Sequence, residues 1–157
     1  MTVSPAEYWL SAYEQGHRHH LNRWLHWVCA PLFAASLVGI VWCIPVPRTL
    51  AETLPLINWA TLFVMAAIVY YFVMSTTLAL GILPFVGMTV AGLAWLDASG
   101  APILLLSSAG LLIAATGQFV GHKLEGGSAS LLRDLHHAAI APIWVLAAIY
   151  RKLGIPY

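Results

Sequence analysis

LINWATLFVMAAIVYYFVMSTTLALGILPFVGMTVAGLAWL, residues 56–96, contains no Asp, Glu, Lys, Arg or His. A helix needs about 20 predominantly apolar residues to cross the hydrocarbon core of a bilayer. This stretch is therefore long enough for two crossings, with a tight turn at Met74–Thr77 between them. Outward from it, the same criterion selects Trp27–Pro45 on one side and Pro102–Gly121 on the other. The expected spans are 27–45, 56–75, 76–96 and 102–121. Composition agrees: 61% of residues are hydrophobic and 8% charged, whereas soluble domains carry about 25% charged residues. The expected fold class is all-α, a polytopic membrane helical bundle forming a single integral membrane domain over residues 1–157.

Two further segments flank the spans. Residues 5–26 mix aromatic, charged and His positions and read as an N-terminal interfacial helix, with Ser4 as N-cap, Pro5 at N1 and Glu7 at N3. No cleavable signal peptide is expected there, because charges interrupt any apolar run. Residues 138–150 are apolar but short and contain Pro142, which favours a re-entrant or short fifth helix over a full span. Asn58 and Thr61 suit hydrogen bonds between helices, and Gly81, Gly87, Gly92, Gly110 and Gly117 suit close helix approach. Trp24, Trp27, Trp42, Trp59 and Trp95 fall near span ends, where interfacial aromatics collect. Cys29 and Cys43, both in the first apolar stretch, match neither a disulfide framework nor a zinc spacing and read as packing residues. A net charge of +1 argues against a nucleic-acid partner.

All seven histidines lie in 17–26 or 122–137. Four spans return the chain to the side it left, so the two clusters share a face and can meet. Arg18, Arg23, Lys123 and Arg133 lie on that face and only Arg48 opposite, which makes the His face cytoplasmic by the positive-inside rule. Arg151 and Lys152 join it if the last apolar run does not span.

The chemistry of the clusters follows from their spacing. On one unbroken helix, His19, Asn22 and His26 share a stripe and His17 points nearly opposite His26; a break near His19 lets His17 fold back. His122 and Glu125 are i, i+3 neighbours at a helix end, before Gly126-Gly127 ends that helix. Gln118, one turn before His122, is placed to hydrogen-bond a ligating imidazole. Several imidazoles with a carboxylate and no thiolate suit iron, copper, nickel or zinc, and non-haem iron(II) leaves positions open for substrate and dioxygen. At a membrane boundary, such a metal reaches an amphiphile whose tail stays in the bundle or bilayer. A lipid head group or fatty acid is the expected substrate.

His17, Asn22, His26 and Pro31, then Gln118-Phe119-Val120-Gly121-His122 with Glu125, and finally Ala141-Pro142-Ile143-Trp144, together resemble the 2-hydroxy fatty acid dioxygenases. These are small polytopic membrane proteins known from the fungal endoplasmic reticulum, with bacterial relatives. The resemblance runs from Tyr13 to Trp144. It implies an Fe2+-dependent, 2-oxoglutarate-independent dioxygenase of fatty acid α-oxidation, converting a 2-hydroxy fatty acid and O2 to the fatty acid one carbon shorter. It implies a bacterial inner membrane or endoplasmic reticulum location, membrane lipid as partner, and a homo-oligomer allowed for. It also implies His17, His26 and His122 as ligands, Glu125 as a further ligand or proton acceptor, His136 completing the shell, and Asn22 and Gln118 orienting the ligands.

The chain departs from the family pattern where members often have Asn-Pro, here His19-His20, which makes His19 a rival ligand. It departs again at Gly126-Gly127-Ser128-Ala129, where basic residues and a proline are common, and at the His136-His137 pair. The alternatives are a di-iron lipid hydroxylase or desaturase, whose HxxxH and HxxHH spacings do not occur here, a b-type haem protein, and a scaffold without chemistry.

Overall fold

A computed structural model describes residues 19–54, 57–124 and 131–156, with the backbone alone at 50–51 and 131–140. Within them the chain forms α1 (His20–Trp42), α2 (Arg48–Thr53), α3 (Trp59–Met74), α4 (Thr76–Ala98), α5 (Ile103–Leu124) and α6 (Leu131–Leu153), and no strand. α1, α4 and α5 are long and apolar enough to cross a membrane, as an integral membrane protein requires. α3 has 16 residues and so rises about 24 Å, short of a hydrocarbon core of about 30 Å. Large apolar side chains point outward, among them Val73 at 79% and Leu112 at 69% exposure, the reverse of a helix facing water.

Local chemistry sets the helix ends. His19 has extended backbone angles and its Nδ1 accepts a 3.3 Å hydrogen bond from Leu21 N, so α1 begins there and runs unbroken past Pro31 to Trp42. The expected division between an interfacial helix 5–26 and a span 27–45 is thus drawn differently: His20–His26 belong to the spanning helix, because Asn22 and His26 are buried against α5 instead of lying at a surface. Residues 5–18 lie outside the described residues. Asn58 and Thr61 do not bond between helices. They form a capping box on α3, Thr61 N donating to Asn58 Oδ1 and Asn58 N to Thr61 Oγ1, both at 2.9 Å. Ser75 alone separates α3 from α4 and caps the latter by accepting from Leu78 N. Gly100, at φ +72°, makes the left-handed turn into α5.

α1 packs most extensively on α5, and the two run antiparallel. Their seam is built of small residues against glycines. A Cβ at Gly39 would strike Ser107 Oγ, one at Gly110 would lie 2.5 Å from Ser36 Oγ, one at Gly117 would strike Cys29 Sγ, and one at Gly121 would strike Asn22 Oδ1. Asn22, Cys29 and Ser36 are seven residues apart, the repeat that keeps one helix face against a partner. Cys29 is therefore a packing residue, as expected, and Gly110 and Gly117 allow close approach. Gly81 does so against Tyr150 and Leu146 of α6, but Gly87 and Gly92 face open space.

α6 is one 23-residue helix with Pro142 inside it, not a loop to 137 followed by a short helix. Leu131, Leu135 and Ala138 keep helical spacing that the intervening Arg133, Asp134, His136 and His137 conceal. Its Ala141, Ile143, Trp144 and Ala147 are buried with Ala30 of α1, Tyr71 of α3 and Leu78, Ala79 and Ile82 of α4. Lys152 Nζ lies 4.9 Å above the Trp27 ring, which puts the end of α6 where α1 begins. A second cluster, Val38, Ala60, Val64, Leu93 and Ile103, fills the opposite end.

Candidate functional site

Antiparallel packing of α1 on α5 brings the start of one beside the end of the other. The two histidine segments meet there: the His26 and His122 rings have centroids 5.6 Å apart and planes inclined at 57°. His122 is half-buried. His26 and Asn22 are only 2% and 1% exposed. An imidazole and an amide so deep in the seam each need hydrogen-bond partners to offset lost hydration.

The partnership they make has chemical consequences. His26 Nδ1 lies 3.1 Å from Asn22 Oδ1 and 3.3 Å from the Asn22 carbonyl oxygen. Both oxygens only accept, so Nδ1 carries a proton and donates it, and in the neutral ring the lone pair would be on Nε2. A neutral imidazole fixed in that tautomer by a second group is the arrangement in which histidine serves as a metal ligand. Gly121 is part of it, since any larger residue would drive into the Asn22 amide that holds His26.

The remaining candidates fall in different places. Gln118 sits one turn before His122 on α5, and its Nε2 is buried with no hydrogen-bond partner among the described residues. His19 is exposed and caps α1. His20, also exposed, accepts a 3.0 Å hydrogen bond from Trp24 Nε1. His136 lies on α6, known there by its backbone alone, while His17 and Glu125 lie outside the described residues. Among the described residues, no three His, Cys, Asp or Glu side chains gather as a metal cluster. What the structure brings together is Asn22, His26 and His122, with Gln118 adjoining. Sequence reasoning missed Gly121 as a structural partner of Asn22. The signal for it was the Gly110–Gly117 heptad step on α5, continued four residues on.

A family model described as 2-hydroxy-palmitic acid dioxygenase Mpo1-like matches residues 3–153, nearly the whole chain. No curated protein and no solved structure matches the chain.

Proposed function

Because this chain belongs to the Mpo1-like family, described as 2-hydroxy-palmitic acid dioxygenases, we propose that it is an iron(II)-dependent, 2-oxoglutarate-independent enzyme. On this reading it cleaves a 2-hydroxy fatty acid with O2 to the fatty acid one carbon shorter, at the cytoplasmic end of the bundle. The observation that carries the proposal is the buried His26, held by Asn22 and facing His122. Metal–nitrogen bonds are about 2.0–2.1 Å, so two imidazoles sharing one ion hold their centroids roughly 4.5–6.4 Å apart. The separation of 5.6 Å fits.

His26 and His122 would hold the ion with His17, and Glu125 and His136 would supply a further ligand or a proton acceptor. When bound, iron(II) supplies a Lewis acid for the substrate's carboxylate and hydroxyl oxygens and the electrons that dioxygen chemistry requires. The chain's own residues do the rest. Asn22 fixes the His26 tautomer and ring plane. Gln118, with a buried amide N–H looking for an acceptor, is suited to donate to a substrate oxygen beside His122.

Protein purified anaerobically from iron-replete cells is expected to retain one iron per chain, and with 2-hydroxypalmitate to consume O2 and form the C15 acid. Absence of any transition metal from such preparations would sink this reading. Two irons per chain would favour the di-iron hydroxylase alternative, and a Soret band the haem protein. Asn22→Leu keeps the branching of the side chain, with somewhat more bulk, and removes the side-chain acceptor while the backbone carbonyl stays. It is expected to lower iron retention about 10–100-fold, the range for losing a group that orients a ligand, while leaving the protein helical by circular dichroism. Iron retention unchanged in Asn22→Leu would remove Asn22 from this role.

A further inference from the structure

An apolar cavity of about 530 Å³ lies in the middle of the bundle between α1, α3 and α4, closed at one edge by Pro142 of α6. Its wall includes Phe33 and Leu37 of α1, Ala67 of α3 and Phe85 of α4. The Thr89 hydroxyl on that wall is turned back to the Phe85 carbonyl, 2.9 Å away, which presents its methyl group to the space. Phe63 and Tyr70, at 42% and 40% exposure, line the outer edge and so mark a mouth opening sideways, where the bilayer would be.

The cavity is in line with the histidine site. On α1, His26, Ala30, Phe33 and Leu37 follow i, i+4, i+7, i+11 spacing and share one stripe, next to the Asn22, Cys29, Ser36 stripe that seals against α5. Ala30, the smallest side chain on that stripe, fills the turn between His26 and the cavity as part of the buried cluster with Trp144, so a tail joining the two must displace packing there. From His26 to Val38, the deepest lining residue of α1, the helix rises about 18 Å. One leaflet of a bilayer, half of about 30 Å, is spanned by an ordinary long acyl chain. The lengths agree. The other cavity, about 640 Å³, is lined by Trp42, Asn58, Thr61 and Asp97 at the opposite end of the bundle and lies beyond this reach.

We propose that this cavity holds the alkyl tail of the substrate, entering from the bilayer past Phe63 and Tyr70, while its 2-hydroxy acid head lies at His26 and His122. The assignment rests on the functional reading above. Since the tail leaves lipid for an equally apolar space, it gains nothing from hydrophobic transfer. Chain-length choice then comes from fit alone, and overfilling the space should penalise long tails by roughly tenfold.

The test uses the full chain in lipid nanodiscs with 2-hydroxypalmitate carrying a diazirine at its terminal carbon. Irradiation is expected to label peptides containing Leu37, Phe63 or Phe85, and excess 2-hydroxypalmitate to compete the label away. Ala67→Phe should lower the ratio of kcat/KM for the C16 over the C10 hydroxy acid about tenfold, and Leu112→Phe, on the outer face of α5, should not move it. Label spread over the outer helix faces, or a C16/C10 ratio unmoved by a folded Ala67→Phe, overturns the tail site even if turnover is intact. Competed label in the cavity without turnover of any hydroxy acid supports the tail site and overturns the reaction. Should Ala67→Phe fail to fold, the labelling pattern of the unaltered protein decides alone.

Discussion

His122→Ala is expected to give a folded protein that no longer retains iron and forms no C15 acid from 2-hydroxypalmitate above background. The loss should exceed the ~10–100-fold seen when only an orienting group is removed, because the proposed ligand itself is gone. His122 is the better choice over His26 on physical grounds. It is half-buried at the end of α5, so truncation leaves a site that water can fill. His26 is 2% exposed and is a hydrogen-bond partner of a buried Asn22, so removing it takes that partner from a buried amide, at a cost of about 1–3 kcal/mol, and confounds chemistry with folding. His20→Ala is the matched control. That imidazole is exposed and occupied with Trp24, and its loss should leave iron and turnover as they were. Metal analysis and product chromatography on the three proteins check the assignment; iron retained by His122→Ala at the level of the unaltered chain would refute it.

The bundle was legible where length alone decides. An apolar run of about 20 residues has few alternatives to a spanning helix, and α4 and α5 lie where the runs placed them, while α1 begins at His20 and not at 27. Four crossings were the ground for expecting the two histidine segments to meet, and His26 and His122 do lie together through the antiparallel packing of α1 on α5. Where the reading went astray, buried and surface polar residues spell the same letters. Asn22 and His26 looked like an interfacial segment, because the sequence does not state that α5 offers glycines to receive them. Residues 131–137 looked like a loop because four polar residues interrupt the apolar spacing of a helix. Asn58 and Thr61 satisfy each other locally, and so cap a helix end instead of bridging two helices. Glycines signalled close approach as a class, yet only partner geometry separates Gly121, in contact with Asn22, from Gly87, in contact with nothing. The tautomer of His26 was beyond the sequence altogether, because it follows from two oxygens lying within 3.3 Å of one nitrogen.

That difference between glycines makes the second large effect. Gly→Ala within a helix ordinarily stabilises by up to about 1 kcal/mol through helix propensity, and Gly87→Ala, whose Cβ meets nothing, is expected to do so. Gly121→Ala should go the other way. Its Cβ would collide with Asn22 Oδ1 and lie 3.1 Å from Asn22 Cγ, and Asn22 has little room to move, being buried and bonded to His26. Overpacking of this kind costs about 1–3 kcal/mol, which outweighs the propensity gain, and relief by rotating the amide breaks the contact that fixes His26. The expected result is a lower unfolding midpoint in mixed micelles together with lost iron. The two consequences can be separated by the double variant Asn22→Ala/Gly121→Ala, which removes the colliding atoms. It should recover much of the stability, a coupling expected of residues in direct contact, without recovering iron, since the amide oxygen that helps to orient His26 is gone and only the backbone carbonyl of residue 22 remains. If Gly121→Ala instead matched Gly87→Ala in both midpoint and iron content, the close seam at Asn22 would be wrong, and with it the account of how α1 and α5 build the site.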